Sequence, residues 1–106
     1  MLRLLEEPLK GRLGRVIIAQ TGSVSEIERR IREIGFEPAD AQDLMPKHSE
    51  NTRYMIIAIG STVNDPVHNQ PSYKGFDKNG GNVHILKREG SIQPNIEIAV
   101  KIKKIA

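Results

Sequence analysis

The chain has 106 residues, no cysteine, and a formal net charge of +3. This length is that of one domain, and the lack of cysteine excludes disulfides, thiolate catalysis and cysteine–zinc sites. Because no apolar run approaches the roughly 20 residues of a membrane span, we expect a soluble cytoplasmic protein that does not associate with membranes.

The charge is unevenly distributed along the chain. Residues 1–20 carry four bases and two acids, and residues 87–106 carry five bases and two acids, whereas residues 21–60 have two more acids than bases. Because the termini of a single domain often lie close together, the two basic ends are expected to form one patch. A competing interpretation is that the lysines keep a strand edge soluble.

The first half of the chain predicts a strand, a helix and a second strand. Residues 15–20 and 53–60 are apolar at consecutive positions, as in strands that are covered on both faces. Between them, Ser23 and Glu26 have the spacing of a capping box, and Gly35 is a typical residue to follow a helix end. Apolar residues recur at helical spacing at Val24, Ile27, Ile31 and Ile34. The pattern predicts a helix over residues 24–34.

Two segments have less regular patterns. Residues 38–44 predict a short helix that Pro38 could begin, although an irregular crossing fits as well. Residues 61–81 contain two prolines and three glycines without any periodicity, which predicts a long loop. Tyr73 and Phe76 lie within it, and we expect them to order part of the loop against the body of the domain or against a partner.

The C-terminal residues predict a β-hairpin with strands at 82–88 and 95–104 and a turn at 89–91. Along the second strand, Ile96, Ile98, Val100 and Ile102 alternate with Glu97, Ala99, Lys101 and Lys103. Such alternation is typical of a strand with one buried and one solvated face. The predicted fold is therefore α+β: a single two-layer domain over residues 1–106, with one main amphipathic helix on a sheet of about four mostly antiparallel strands and a C-terminal β-hairpin.

The basic residues near the two ends are the best candidates for binding a partner: Arg12, Arg15, Lys101, Lys103 and Lys104. Lys101 and Lys103 are expected on one face roughly 7 Å apart, which is comparable to the spacing of successive phosphates on a nucleic-acid strand. No aromatic residue on this strand could stack on bases. The favoured hypothesis is a small non-catalytic binding module for an anionic partner, nucleic acid above all.

A second candidate for anion binding is Thr21-Gly22-Ser23, between the first strand and the helix. Free N–H groups and the positive end of the helix dipole meet there. However, the chain has neither GxxxxGK[ST] nor GxGxxG. Ser23 as a helix cap and Gly22 as a turn residue explain the segment equally well.

The histidines are His48, His68 and His84, and none of them forms an HxxxH or HExxH pair. We therefore predict no metal site and no cofactor. A small enzyme remains an alternative, with a site built from the 61–81 loop, from His48 and His68 with Asp65, and from residues 21–23.

The last strand also suggests self-association. It is long and free of proline from residue 95 to 106, and at a sheet edge its backbone groups would be open to pairing. We therefore predict a homo-oligomer. A structural or assembly protein that acts as a homo-oligomer, such as a viral or accessory subunit, is the alternative to the binding module.

Overall fold

The computed structural model describes residues 2–4 and 13–102, which contain one α-helix, ten β-strands and three short 3₁₀ helices. The strands are β1 (Leu2–Leu4), β2 (Leu13–Ile18), β3 (Gly22–Ser23), β4 (Phe36–Pro38), β5 (Met55–Ile57), β6 (Val63–Asn64), β7 (Pro71–Asp77), β8 (Asn82–Leu86), β9 (Ser91–Ile92) and β10 (Glu97–Ile102). The helix α1 spans Val24–Glu33, and the 3₁₀ helices span Ala41–Asp43, Pro46–Ser49 and Lys87–Glu89. Among these described residues, no helix is long and apolar enough to cross a membrane.

Helix α1 confirms the predicted helix and ends one residue earlier than expected. The Ser23 hydroxyl accepts a hydrogen bond from the backbone N–H of Glu26 at 3.2 Å, which satisfies one of the free donors of the first turn. At the other end, Gly35 has φ +92°, a conformation that strongly favours glycine. Ile27 and Ile31 are buried, but Ile34 is 48% exposed, so the apolar stripe stops one turn short of its predicted length.

The main sheet has eight strands and is mixed. Its continuous path runs β1-β2-β10-β5-β7-β6, and in addition β4 pairs with β10 and β8 pairs with β7. Strand β10 is antiparallel to β2 and β4 but parallel to β5. The α+β class thus holds, whereas the expectation of about four mostly antiparallel strands does not describe this sheet.

The predicted C-terminal hairpin is wrong. Strand β8 pairs with β7, and the residues that follow it form β9, which pairs with β3 outside the main sheet. Strand β10 then enters the main sheet between β2 and β5. Its expected solvated face is also wrong in part, because Glu97 is 2% exposed and Ala99 is fully buried. A strand in the middle of a sheet has partners on both sides, so the edge that we expected to drive self-association is not there.

The predicted long loop at 61–81 contains the seven-residue strand β7. Tyr73 and Phe76 are both buried and lie on opposite faces of the sheet. Pro71 occupies the first position of the strand, where a missing N–H is tolerated. A Cβ atom at Gly75 would lie 2.2 Å from the carbonyl oxygen of Ile56, so the close approach of β5 requires glycine there. These residues look like loop signals, yet both suit a strand in this position.

Both faces of the sheet are covered. On one face, α1 packs on a cluster that includes Val16, Ile57 and Ile98. On the other, Leu44 belongs to a second cluster that also includes residues from β5, β7 and β10. The irregular segment 39–54 therefore acts as a further layer, and the two-layer arrangement that we predicted is incomplete.

Candidate functional site

Arg15, one of the residues predicted to bind nucleic acid, is buried in the structure. Arg15 is 6% exposed, and its Nη1 atom lies 3.1 Å from Oε1 of Glu97. This contact is an ion pair without hydrogen-bond geometry, since Glu97 Oε1 has no hydrogen-bond partner. The other carboxylate oxygen accepts the backbone N–H of Arg53 at 2.9 Å. The pair therefore ties β2, β10 and the start of β5 together inside the domain.

Lys101 is likewise engaged within the protein. Its Nζ atom lies 3.1 Å from Oδ2 of Asp40 and 3.2 Å from Oδ2 of Asp43. The hydrogen bond with Asp40 raises the pKa of Lys101, against a smaller opposing effect of burial. With two carboxylates around one ammonium, Lys101 contributes no free positive charge to a patch. Arg12, Lys103 and Lys104, the remaining candidates of this set, lie outside the described residues.

The Thr21-Gly22-Ser23 segment is used mainly to build the fold. Gly22 and Ser23 pair with β9, and Ser23 caps the helix. The N–H of Val24 donates to the carbonyl oxygen of Gly90 at 3.1 Å. The cavity beside Thr21 measures only about 50 Å³, and both Glu26 and Arg30 line it. Its size does not favour an anion larger than a few atoms.

His68 and Asp65 form a local pair in the β6–β7 turn. Asp65 is buried, and its carboxylate receives His68 Nδ1 at 2.5 Å and the N–H groups of Val67 and His68 at 3.3 Å each. The hydrogen bond with the His68 side chain is the main cause that lowers the pKa of Asp65. The imidazole itself is half exposed. Such a pair could orient an imidazole, but these contacts of the Asp65 carboxylate come from Val67 and His68 in its own turn, so their effect is to shape the turn.

The other two histidines do not join this pair. His48 Nδ1 accepts the N–H of Met45 at 2.8 Å, and the preceding Pro46 lies near Gly80, beyond the far end of β7. Asp65 is at the other end, where its N–H donates to Gln70. The seven residues of β7 separate the two places by roughly 20 Å. Within the described ranges, no three His, Asp or Glu side chains group as metal ligands.

His84 contacts Ser72, but not as a base beside a nucleophile. The buried Ser72 hydroxyl donates its single hydrogen to the carbonyl oxygen of Val63 at 3.1 Å. It therefore accepts from His84 Nδ1, which lies 2.9 Å away. The hydrogen bond to Val63 holds the serine in a structural role.

A groove of about 490 Å³ lies beside the first turns of α1. One wall is α1 with Val24, Ser25 and Glu28; the other is residues 59–62, which follow β5. Strand β7 contributes Tyr73, and the 3₁₀ helix after β8 contributes Lys87 with Gly90 next to it. We call this surface the Tyr73 groove.

The 59–62 wall is fixed by a close backbone contact. The N–H of Gly60 donates to the carbonyl oxygen of Ala39 at 2.8 Å, and a Cβ atom at Gly60 would lie 2.7 Å from that same oxygen. The Ser61 hydroxyl accepts the N–H of Ala41 at 2.9 Å. Both contacts come from the layer on the opposite face of the sheet, so this wall does not depend on a ligand for its shape.

Tyr73 is the residue that distinguishes the groove. It is 6% exposed, it lies on the helix face of the sheet, and its hydroxyl has no hydrogen-bond partner among the described residues. Burial, with a smaller contribution from the Glu28 charge, raises the pKa of Tyr73, so the hydroxyl stays protonated as a donor. The hydroxyl is not enclosed by the protein, unlike Arg15 Nε and Glu97 Oε1, so it is open to water or to an acceptor on a ligand.

The sequence contained only part of this site. Tyr73 stood out as an aromatic within the 61–81 segment, but the predicted role was to anchor a loop. Ser25 carried no signal. Thr62 and Lys87 belonged to the 61–81 segment and to the basic stretch 87–106, but nothing in the sequence placed them beside Tyr73, because strand pairing and helix packing bring these residues together from distant parts of the chain.

No protein-family model, curated protein or solved structure matches this chain.

Proposed function

We propose that this protein is a non-catalytic binding module that holds a small polar ligand in the Tyr73 groove. The observation that carries the proposal is the hydroxyl of Tyr73, a residue only 6% exposed that lines the groove and forms no hydrogen bond with the described residues. A ligand oxygen in the groove would accept this hydrogen bond in place of water. The groove is mostly preformed, as small-molecule sites usually are.

The side chains of the groove favour binding over catalysis. Ser25, Ser61 and Thr62 supply hydroxyl groups, and Lys87 and Glu28 supply opposite charges. None of the lining residues is a histidine, and no hydroxyl of the groove is paired with a base in the described part of the chain. Hydrogen-bond donors and acceptors around an apolar floor are typical of a recognition site.

The test is an NMR titration of ¹⁵N-labelled protein with acetate, phosphate, glycerol, glycine and glucose as probes. We expect at least one probe to shift the amide signals of Ser25, Thr62 and Gly90 together. Tyr73→Phe removes only the hydroxyl and should weaken that probe about 2- to 10-fold, the effect of one hydrogen bond. Tyr54→Phe is the matched control, because Tyr54 is 55% exposed and outside the groove.

Shifts scattered over the surface, or no shift with any probe at about 20 mM, would overturn the proposal. An equal loss in Tyr73→Phe and Tyr54→Phe would do the same, because the hydroxyl in the groove would then have no special part.

A polyanion such as nucleic acid remains the second candidate, supported by the charge of the C-terminal residues. Lys87 and Arg88 are exposed and form no ion pair within the described residues, and Lys103 and Lys104 follow β10 in sequence. The test replaces Lys103 and Lys104 by Glu and measures binding to single-stranded DNA between about 50 and 200 mM salt. Phosphate contacts predict a steep fall with salt in the parent protein and loss of binding in the double variant. Lys47→Glu with Lys78→Glu is the control for charge alone.

A further inference from the structure

The two charged residues of the Tyr73 groove have opposite signs and come from different elements. Glu28 lies on α1, and Lys87 lies in the 3₁₀ helix after β8. Lys87 is exposed and has no ion pair with any described residue. Arg32 Nη1 lies 3.6 Å from Oε2 of Glu28. The other carboxylate oxygen, Oε1, can still accept a hydrogen bond from a ligand. A ligand with one negative and one positive group would match both.

The negative group fits the start of α1. The N–H of Val24 donates to Gly90, and that of Glu26 donates to Ser23. The N–H of Ser25, between them, has no acceptor outside the helix among the described residues, and Ser25 lines the groove. A carboxylate there would meet this donor, the positive end of a ten-residue helix, the Tyr73 hydroxyl and Lys87.

The positive group fits Glu28 at a short distance from that position. Ser25 and Glu28 are three residues apart on the helix, so their Cβ atoms are separated by about 5–6 Å on the same side. The two ligand charges must therefore be only a few ångströms apart. In an α-amino acid, the ammonium and the carboxylate are attached to the same carbon atom, and a groove of about 490 Å³ holds such a molecule with room to spare.

The floor of the groove supplies an apolar contact. Val24 is 8% exposed and Ile59 is 2% exposed, and both line the groove from opposite walls. An aliphatic side chain would fit against them.

Resting on the proposed function, we infer that the Tyr73 groove binds an α-amino acid with an aliphatic side chain. Its carboxylate lies at Ser25, Tyr73 and Lys87, and its ammonium lies at Glu28.

The experiment compares three probes by NMR titration and calorimetry: L-leucine, 4-methylpentanoate, which lacks the ammonium, and 3-methylbutylamine, which lacks the carboxylate. We expect L-leucine to bind at least about tenfold more tightly than either analogue, because each loses one charge-assisted hydrogen bond. Glu28→Gln should weaken the binding of L-leucine about tenfold and leave the binding of 4-methylpentanoate unchanged. Lys87→Gln should weaken the binding of L-leucine and leave that of 3-methylbutylamine unchanged. Glu33→Gln, on an exposed part of α1, is the control.

Each other outcome overturns the inference in a distinguishable way. If 4-methylpentanoate binds as tightly as L-leucine, the groove binds a carboxylate alone, and the inference that the ligand also carries an ammonium group is wrong. If none of the three probes shifts the groove signals but a probe of the polar panel does, the proposed function stands and this ligand class is wrong. If neither set shifts them, both proposals fail. The dispersion of the NMR spectrum shows for each variant that the fold is intact.

Discussion

Arg15 and Glu97 are charged residues that form an ion pair inside the domain and not a binding surface. Both side chains are removed from water, and a buried charge is tolerated only where a partner compensates it. Arg15 Nε and Glu97 Oε1 have no hydrogen-bond partner, so the compensation is incomplete. The pair is therefore expected to be weak as a source of stability but costly to break on one side.

The first prediction concerns this pair. Arg15→Met should destabilise the fold by about 3–5 kcal/mol, because it leaves the Glu97 carboxylate buried without its counter-charge. Arg15→Met combined with Glu97→Leu should cost less than the single change. Urea denaturation gives both values, with Arg29→Met on the exposed face of α1 as control. A loss below about 1 kcal/mol for Arg15→Met would contradict the burial of the pair.

The second prediction concerns the pH dependence of Asp65. Its pKa is lowered in the folded state from an ordinary value of 3.8, mainly by the His68 side chain. A lowered carboxyl pKa stabilises the fold fully above the unfolded value and loses that contribution as pH falls through the folded value. The difference in unfolding free energy between the parent and Asp65→Asn should therefore be fully present at about pH 5, above the unfolded value. It should shrink below pH 4, and a difference that does not change down to pH 2.5 would disprove the linkage.

At the scale of elements, α1 is held mainly by its apolar side. Ile31 is fully buried against the sheet, whereas Ile34, one turn later, is 48% exposed. The third prediction is that Ile31→Ala costs about 2–5 kcal/mol by chemical denaturation, because the truncation leaves a cavity. Ile34→Ala removes the same atoms from a half-exposed position and should cost less than about 1 kcal/mol. Equal losses for the two variants would show that α1 does not pack as described.

The elements also differ in how far the sequence predicts them. Helix α1 was predicted within one residue at its end, because its period, the Ser23 cap and Gly35 are local signals that agree. Strand β10 was predicted as a strand but with the wrong partners. The alternation of apolar and polar residues indicates which side chains are buried, but it does not indicate which strands lie next to it. Strand β7 was missed, since Gly75 and Pro71 indicate a loop unless the approach of β5 is known. The Tyr73 groove depends on such distant pairings and was missed for the same reason.

At the scale of the whole molecule, self-association remains a prediction. The structure indicates that it should involve β8 and not β10. Strand β10 is paired on both sides, whereas β8 pairs only with β7 among the described residues. The five residues of β8 carry no formal charge if His84 is neutral, and such an edge is open to pairing with a second chain.

The fourth prediction is therefore a homodimer that uses β8. Sedimentation equilibrium at about 10 and 100 μM should show a mass that rises with concentration. Amide exchange in β8 should slow over the same range, while exchange in β10 should not change. A monomer mass at about 100 μM would refute self-association, and a dimer without added protection in β8 would refute the choice of strand.

The central position of β10 has a consequence for how the chain folds. Among the described strands of the main sheet, β1 and β2 are connected to β5, β7 and β8 only through β10. Glu97 is 80 residues from Ile17 and 41 residues from Ile56, its partners on the two sides. Contacts so distant in sequence are entropically costly to form, and they slow folding. A ribosome-bound chain that still lacks residues 97–102 would hold β1 and β2 apart from β5, β6, β7 and β8 and would leave β4 unpaired, so the sheet acquires its native order only after residues 97–102 have emerged.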